Sequence, residues 1–402
     1  MSAAPLLCWI LASSVPYHEA RFSAVAERAK LRLCMVQLTD VDAFPILQQP
    51  KLGAGFARHT LFPATPLHRI GRRNLIRRLH EHLSALDPSA VCINGWSFGG
   101  SLAALSWCLA NRVPAIVMSE STAADAPRHW WKEAIKRRIV RLCSAAIVGG
   151  APHRDYLTVL GLTQERIFTG YDAVDNKHFR GGAEAARRAG LALRVQLALP
   201  QRYFLACSRF SRKKNIAILL RGYAEYRKLD PTEPWSLVII GDGELRDEII
   251  ALRDRLGLTM HVQLPGPKSY AELPSYYGLA SAFLHASTTE QWGLVVNEAM
   301  AAGLPVLVSK CCGCAGDLVI SGRNGFLFDP YDPQSLAIAM ARLTSDQCDL
   351  RAMGRASSDI IERWSPAQFA ESLFSAASTA LASERPAPST IDRLLLKALS
   401  GR

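Results

Sequence analysis

Short apolar runs of the chain alternate with longer segments whose apolar residues recur every three or four positions. The runs predict strands at Leu6–Ala12, Arg32–Leu38, Ala90–Asn94, Ala115–Ser119 and Ala145–Val148. The rhythm breaks and then resumes at Tyr203–Ser208, Ser236–Gly241, His261–Leu264, Ala282–His285, Pro305–Ser309 and Gly325–Phe328. Segments such as Asn215–Arg227 and Gly243–Leu256 between them carry helical spacing. Such alternation predicts an α/β chain with two doubly wound, Rossmann-like parallel sheets in series. The break between Asp172 and Arg202, with Arg180-Gly-Gly, an Ala/Arg-rich piece and Pro200, marks the boundary. Domains are therefore expected at 1–180 and 195–375, with a last helix at about 376–402 packing back on the first. The opening Leu6–Leu11 reads as a buried strand rather than a signal peptide, and no apolar run reaches the ~20 residues of a membrane span.

Composition agrees with two packed domains, since 49% of the 402 residues are hydrophobic and 20% charged. Ten cysteines lie scattered, several inside apolar runs, which favours free thiols in a reducing, cytoplasmic setting. Cys311, Cys312 and Cys314 cluster, yet lack a second pair at zinc spacing. The net charge of +12 asks for a partner. Basic residues gather at Arg69, Arg72, Arg73, Arg77 and Arg78, and again at Lys132, Lys136, Arg137, Arg138 and Arg141. In the second group Trp130, Trp131, Ile135, Ile139 and Val140 are interleaved at helical spacing. Either that apolar stripe packs on the core and the charges are solvated, or the segment meets an anionic membrane on its cytoplasmic face. No nucleic-acid signature accompanies the charge, so nucleic acid is not expected as a partner.

The densest chemistry runs from His285 to Pro330. A strand ends near His285, a polar loop follows, and a helix starts close to Trp292. Backbone N–H groups at Gly293, Leu294 and Val295 would then form an anion site at the helix's positive end, with Gly293 letting a phosphate approach. Glu298, further along that helix, can accept from a ribose diol, and Glu290 from a sugar's hydroxyls. Two carboxylates beside a diphosphate need cations between them. Cys207-Ser-Arg-Phe-Ser-Arg-Lys-Lys-Asn215 provides these: Arg209 and Lys214 are placed to reach the phosphates, and Arg212 and Lys213 lie nearby.

Taken together, Arg209 and Lys214, Glu290 and Glu298 with seven residues between, Gly241-Asp-Gly243, Ala302-Gly-Leu-Pro305 and Gly322-Arg-Asn-Gly325 resemble the retaining glycosyltransferase family 4. The likeness is good over roughly residues 203–370 and loose before them. It implies the GT-B fold of two facing Rossmann-like domains, a nucleoside-diphosphate sugar donor, retention of anomeric configuration and no bound metal or other cofactor. Arg209 and Lys214 would hold the phosphates, Glu298 the ribose and Glu290 the transferred sugar, with Lys268 near the base. Acceptors of that kind are sugars, lipid-linked molecules or other small molecules, as in glycan, polysaccharide or glycolipid synthesis. Two departures stand out. The loop after Ser309 reads Cys-Cys-Gly-Cys-Ala-Gly-Asp317, and where the family often offers a His the first domain has Glu120 and Ser121.

Rival readings come from the first half. Gly95-Trp-Ser97-Phe-Gly99 follows a strand and opens a small-residue helix, the nucleophile-elbow pattern of an α/β serine hydrolase, with Asp125 and His153 as nearest partners. The alternative is a glycine-rich turn in which Ser97 touches the acceptor or a phosphate. A nucleotide-sugar epimerase on the same fold would need an acidic and His constellation that the chain does not offer. Asp40-Val-Asp42 matches a metal-binding Asp-x-Asp but lies early, and reads as a solvated loop. His80-Glu-His82 reads as helix surface, because side chains two apart diverge on a helix.

Overall fold

The computed structural model describes residues 4–28, 30–41, 55–229 and 233–400. They divide into two compact units, Met1–Ala173 with Pro366–Arg402, and Val174–Ser365.

The first unit runs β1 (Leu6–Leu11), α1 (Pro16–Ala26), β2 (Arg32–Gln37), β3 (Ala57–Thr60), α2 (Arg72–Leu86), β4 (Ala90–Asn94), α3 (Gly99–Asn111), β5 (Ala115–Ser119), α4 (Trp130–Val140), β6 (Ala145–Val148), α5 (Ala151–Val159) and β7 (Ile167–Thr169). Its seven strands among the described residues are parallel, in the order β3-β2-β1-β4-β5-β6-β7. The central strands are apolar along their length because both faces are covered, as a parallel sheet requires. Two strands are invisible to that signal. β3 reads Ala-Arg-His-Thr with no fully buried residue, and β7 is only three residues long.

In the second unit follow α6 (Asn176–Gln196), β8 (Tyr203–Cys207), α7 (Ile216–Leu229), β9 (Ser236–Ile240), α8 (Arg246–Arg255), β10 (Val262–Gln263), α9 (Leu273–Leu279), β11 (Ala282–His285), α10 (Leu294–Ala301), β12 (Val306–Ser309), α11 (Ala315–Leu318), β13 (Gly325–Phe328), α12 (Pro333–Thr344) and α13 (Leu350–Ile361). The six strands among the described residues here are also all parallel, ordered β10-β9-β8-β11-β12-β13. Residues 174–194, expected to fall outside this domain, belong to it. The reason is α6, which lies so close on α9 that a Cβ on Gly278 would stand 2.5 Å from the Ala183 carbonyl oxygen.

The chain then returns to the first unit as α14 (Pro366–Ala382) and α15 (Thr390–Leu399). One face of the first sheet is covered by α1 and α14, where Trp9 stacks on Phe22 at 4.8 Å and on Phe369 at 5.5 Å. The other face takes α2, α3, α4, α5 and, through Leu396, α15. No described helix is long and apolar enough to cross a membrane.

Candidate active site

Strand order reverses between β8 and β11 in the second sheet, so the loops after these two neighbours diverge at their C-terminal ends. That point is where open α/β sheets take ligands. Three loops meet there and are pinned by main-chain contacts. The Ser208–Phe210 segment after β8 lies against the loop after β9, with the Phe210 N–H donating to the Asp242 carbonyl at 2.8 Å. Gly241 and Gly243 make this possible: a Cβ on Gly241 would sit 1.9 Å from the Ser208 carbonyl oxygen, and one on Gly243 2.6 Å from that of Phe210. Both glycines also hold positive φ, at 141° and 158°. Thr288, after β11, donates its N–H to the Lys213 carbonyl at 2.9 Å and ties the β8 and β11 loops together.

The Cys311-Cys312-Gly313-Cys314 loop has a comparable task. Gly313 N–H donates to the Glu290 carbonyl at 2.9 Å, and Cys314 N–H to that of Trp292 at 3.2 Å. A Cβ on Gly313 would stand 1.7 Å from the Gln291 carbonyl oxygen. The Cys-rich loop after Ser309 thus keeps a glycine where the backbone of 290–292 demands it. All ten cysteines are free thiols, and burial, then the Glu290 carboxylate, push the Cys312 thiol up.

Glu290 and Lys214 form an ion pair at this point, each about one-seventh exposed (14% and 16%). The same Glu290 oxygen meets the Ser287 hydroxyl at 3.3 Å and His285 Nε2 at 3.4 Å, while Ser287 Oγ lies 3.2 Å from that nitrogen. Burial works against ionisation of Glu290, but His285 and the Lys214 charge outweigh it and hold the carboxyl at about 2. His285 is buried and its pKa lowered, first by burial and also by Lys214, with Glu290 opposing. A neutral ring carrying its proton on Nε2 serves the contact to Glu290.

The helix α10 starts at Leu294, two residues later than expected from Trp292. Trp292 is buried and donates from its indole to Asn297 at 2.8 Å. Gly293 forms the N-cap with φ 109°, and a Cβ there would meet Cys314 Sγ and Glu290 Cγ at 3.5 Å. Leu294 and Val295 occupy the first turn, whose N–H groups precede the helix's own bonding. Glu298 is almost wholly buried, and the Tyr277 hydroxyl of α9 donates to it at 2.7 Å. Its charge is felt at the end of β8, where burial and then the Glu298 carboxylate push the Cys207 thiol up to about 12. Arg209 is exposed on the β8 loop, as are Arg212 and Lys213. Lys268 is half-buried over the Tyr276 ring at 5.4 Å. Tyr277, Ser287 and His285 are members of this cluster that motif reading did not single out.

Candidates in the first unit lie apart from that cluster in the sequence and in their own sheet. Ser97 is exposed between β4 and α3, in a turn whose left-handed residue is Gly95 at φ 62°, not the serine. Asp125 accepts from the Thr122 N–H and hydroxyl, and His153 accepts from the Gly150 N–H at 3.3 Å, so both acid and base serve local turns. Glu120 directly follows β5, half-buried, beside Asp172. Burial and then the Glu120 charge raise the Asp172 carboxyl well above its usual range, with Arg21 opposing. Asp40 is exposed and accepts from the Ala64 N–H at 2.7 Å; Asp42 lies outside the described residues. His80 and His82 are half-buried rather than surface residues, because His80 reaches the Ala103 carbonyl and His82 packs on His59 at 4.7 Å. Among the described residues no three His, Cys, Asp or Glu side chains are grouped to hold a metal.

Comparison with known proteins bears on the same unit. Residues 193–359 match the family model described as Glycosyl transferases group 1. D-inositol 3-phosphate glycosyltransferase 1 of Catenulispora acidiphila is 30% identical over 225 residues, 54% of this chain and 52% of that one. Alpha-monoglucosyldiacylglycerol synthase of Acholeplasma laidlawii is 33% identical over 140 residues, 34% of each chain. The chain thus spans about half the length, or less, of these curated relatives. Among solved structures, Anabaena Alr3699/HepE in complex with UDP superposes with a TM-score of 0.69 at 19% identity, over 92% of this chain and 98% of that one. At that identity the likeness speaks for the fold, which is that of GT-B glycosyltransferases. Residues 193–359 of the second unit, which hold the switch-point cluster of Lys214, Glu290 and Glu298, are thus the part of the chain that matches the glycosyl transferases group 1 family.

Proposed function

We propose that the chain is a glycosyltransferase that moves a sugar from a nucleoside-diphosphate sugar to an acceptor hydroxyl with retention of anomeric configuration. The observation that carries this is the Lys214–Glu290 ion pair at the β8/β11 switch point, directly before the Gly293 N-cap of α10. An ammonium paired with a carboxylate that stands next to a helix N-terminus lets sugar hydroxyls and phosphate oxygens bind at adjacent points without mutual repulsion. In this reading Glu290 accepts from the transferred sugar and Glu298, fixed by Tyr277, accepts from the ribose. Leu294 and Val295 N–H groups meet the phosphates, Gly293 lets them approach, and Lys268 lies toward the base. Gly241 and Gly243 act one step back, by seating the loop that carries Arg209.

In the reaction the bond from the anomeric carbon to the diphosphate oxygen breaks, and a bond to the acceptor oxygen forms on the same face. The acceptor's proton passes to the departing phosphate oxygen. Arg209 and Lys214 stabilise the charge that grows on the leaving diphosphate, the role a metal would otherwise fill. A carboxylate held at about 2, as Glu290 is, stays ionised at neutral pH and acts as an acceptor of hydrogen bonds, not as a general acid. The names of the relatives and the UDP complex of the Anabaena protein support a nucleotide-sugar donor. Glu120 and Ser97 are assigned to the acceptor side, and the acceptor is a sugar, a lipid-linked molecule or another small molecule. The setting is the cytoplasm, with peripheral contact to an anionic membrane.

A panel of nucleotide sugars screened by thermal shift tests the reading, since a ligand that binds only the folded state raises the melting temperature. A stabilising nucleotide sugar, with the matching free nucleoside diphosphate also active, is expected. No shift with any member would overturn the proposal.

A further inference from the structure

The two basic segments are separated by about sixty residues in sequence, yet both flank the last helix, α15. Arg72, at the start of α2, donates to the Lys397 carbonyl of α15. Arg138, on α4, donates to the Asp392 carboxylate at 2.8 Å and to the Ser389 hydroxyl at 3.1 Å, both at the start of α15. The three helices cover the same face of the first sheet, α15 being anchored by buried Leu396.

Their outward sides do not read as ordinary solvated faces. Ile139 and Val140 of α4 turn into the core, whereas Trp130 is 84% and Trp131 46% exposed. The pure packing reading of this segment, which would bury the tryptophans with the isoleucines, therefore fails at its two largest side chains. Helical geometry sets Trp130, Ala134, Arg137 and Arg141 on one exposed row, so the Trp130 indole shares a face with two guanidinium groups, of which that of Arg137 also donates to the Val159 carbonyl at 3.3 Å. The last helix repeats the arrangement: Ile391 and Leu394 are each 62% exposed, flanked by exposed Arg393 and Lys397. Arg69, just before α2, and Arg72, Arg73, Arg77 and Arg78 on it are exposed, and Arg72 joins this group to α15.

We infer that α4, α15 and the start of α2 form one interfacial docking surface for an anionic lipid bilayer. The chemistry of the surface selects this occupant. Amphipathic indoles with Arg and Lys around them suit the headgroup boundary, where the ring enters and the charge meets lipid phosphate. A nucleic acid would give exposed Ile391 and Leu394 nothing to cover them, and a second copy of a chain carrying +12 would bring like charge against this face. The surface lies wholly in the first unit and owes nothing to the donor assignment, so the two stand or fall separately.

Full-length protein is sedimented with vesicles of phosphatidylcholine alone and with about one-third phosphatidylglycerol, at low and high salt. Expected is binding to the anionic vesicles only, reduced by salt. Trp130→Ala with Ile391→Ala should weaken it by at least about tenfold, and Arg73→Glu with Arg137→Glu by more, since each cation near the surface counts. Melting temperature and the thermal shift with nucleotide sugar should stay those of the parent, which separates lost docking from lost folding and from a failed donor assignment. No binding at low salt, equal binding to neutral vesicles, or variants that bind like the parent would overturn the inference. So would a dimer in solution that Trp130→Ala dissolves in the absence of vesicle binding.

Discussion

Replacing Glu290 by Gln removes one negative charge and keeps the shape of the side chain, so it isolates the electrostatics of the switch-point cluster. The Glu290 carboxyl is lowered from 4.5 to about 2, a shift worth about 3 kcal/mol of interaction between the folded surroundings and the ionised form. The group is only 14% exposed, so solvent screening removes little of this. A carboxyl whose folded pKa is depressed contributes stability above its unfolded value, near 4.5, and loses it as pH falls toward 2. Urea unfolding at a series of pH values, read as the stability of parent minus variant, is the assay. The difference should be about 3 kcal/mol at pH 7 and shrink steadily below pH 4.5, being nearly gone by pH 2. The parent's own acid lability over that window should be reduced in the variant by the same amount. A difference that stays constant from pH 7 to pH 2.5 would mean that Glu290 is not held ionised by Lys214 and His285, and would refute the reasoning.

Gly241→Ala should lower stability on the order of 3 kcal/mol or more, because both the positive φ and the Ser208 carbonyl oppose a Cβ there; melting temperature reads this, and donor binding should fall with it as the Arg209 loop shifts. Tyr277→Phe removes the hydroxyl that donates to buried Glu298 and should cost about 2 kcal/mol in urea unfolding, with a smaller thermal shift from nucleoside diphosphate. Ser97→Ala should keep transfer activity, measured as nucleoside diphosphate released; complete loss would restore the hydrolase reading.

Much of the architecture was legible because parallel strands buried on both faces write continuous apolar runs. Ala90–Asn94, Ala115–Ser119, Ala145–Val148, Ala282–His285 and Gly325–Phe328 have the same limits in the sequence and in the structure. The signal fades where burial fades, as in polar β3, and where a strand is too short to show a pattern, as in β7. Motif spacing led to Lys214, Glu290 and Glu298, since the residues about a switch point sit in fixed positions after their strands. Tyr277 could not be found that way. Its partner Glu298 is 21 residues distant, and nothing local distinguishes it from Tyr276 beside it. Gly241 and Gly243 stand out in the sequence as part of the family resemblance, but the close approach that demands them is to the Ser208–Phe210 backbone, which only the fold reveals. Trp130 and Trp131 show the same limit in reverse: helical spacing put them on an apolar stripe, and the fold turned them outward.

The central claim is that the cations after β8 act on the leaving diphosphate more than on the bound donor. Lys214→Ala, assayed for donor Kd and for kcat with the nucleotide sugar that stabilises the parent, tests it most directly. The account predicts that kcat falls by about 10²–10³ while Kd changes less than about tenfold. Full turnover combined with lost donor affinity would contradict it.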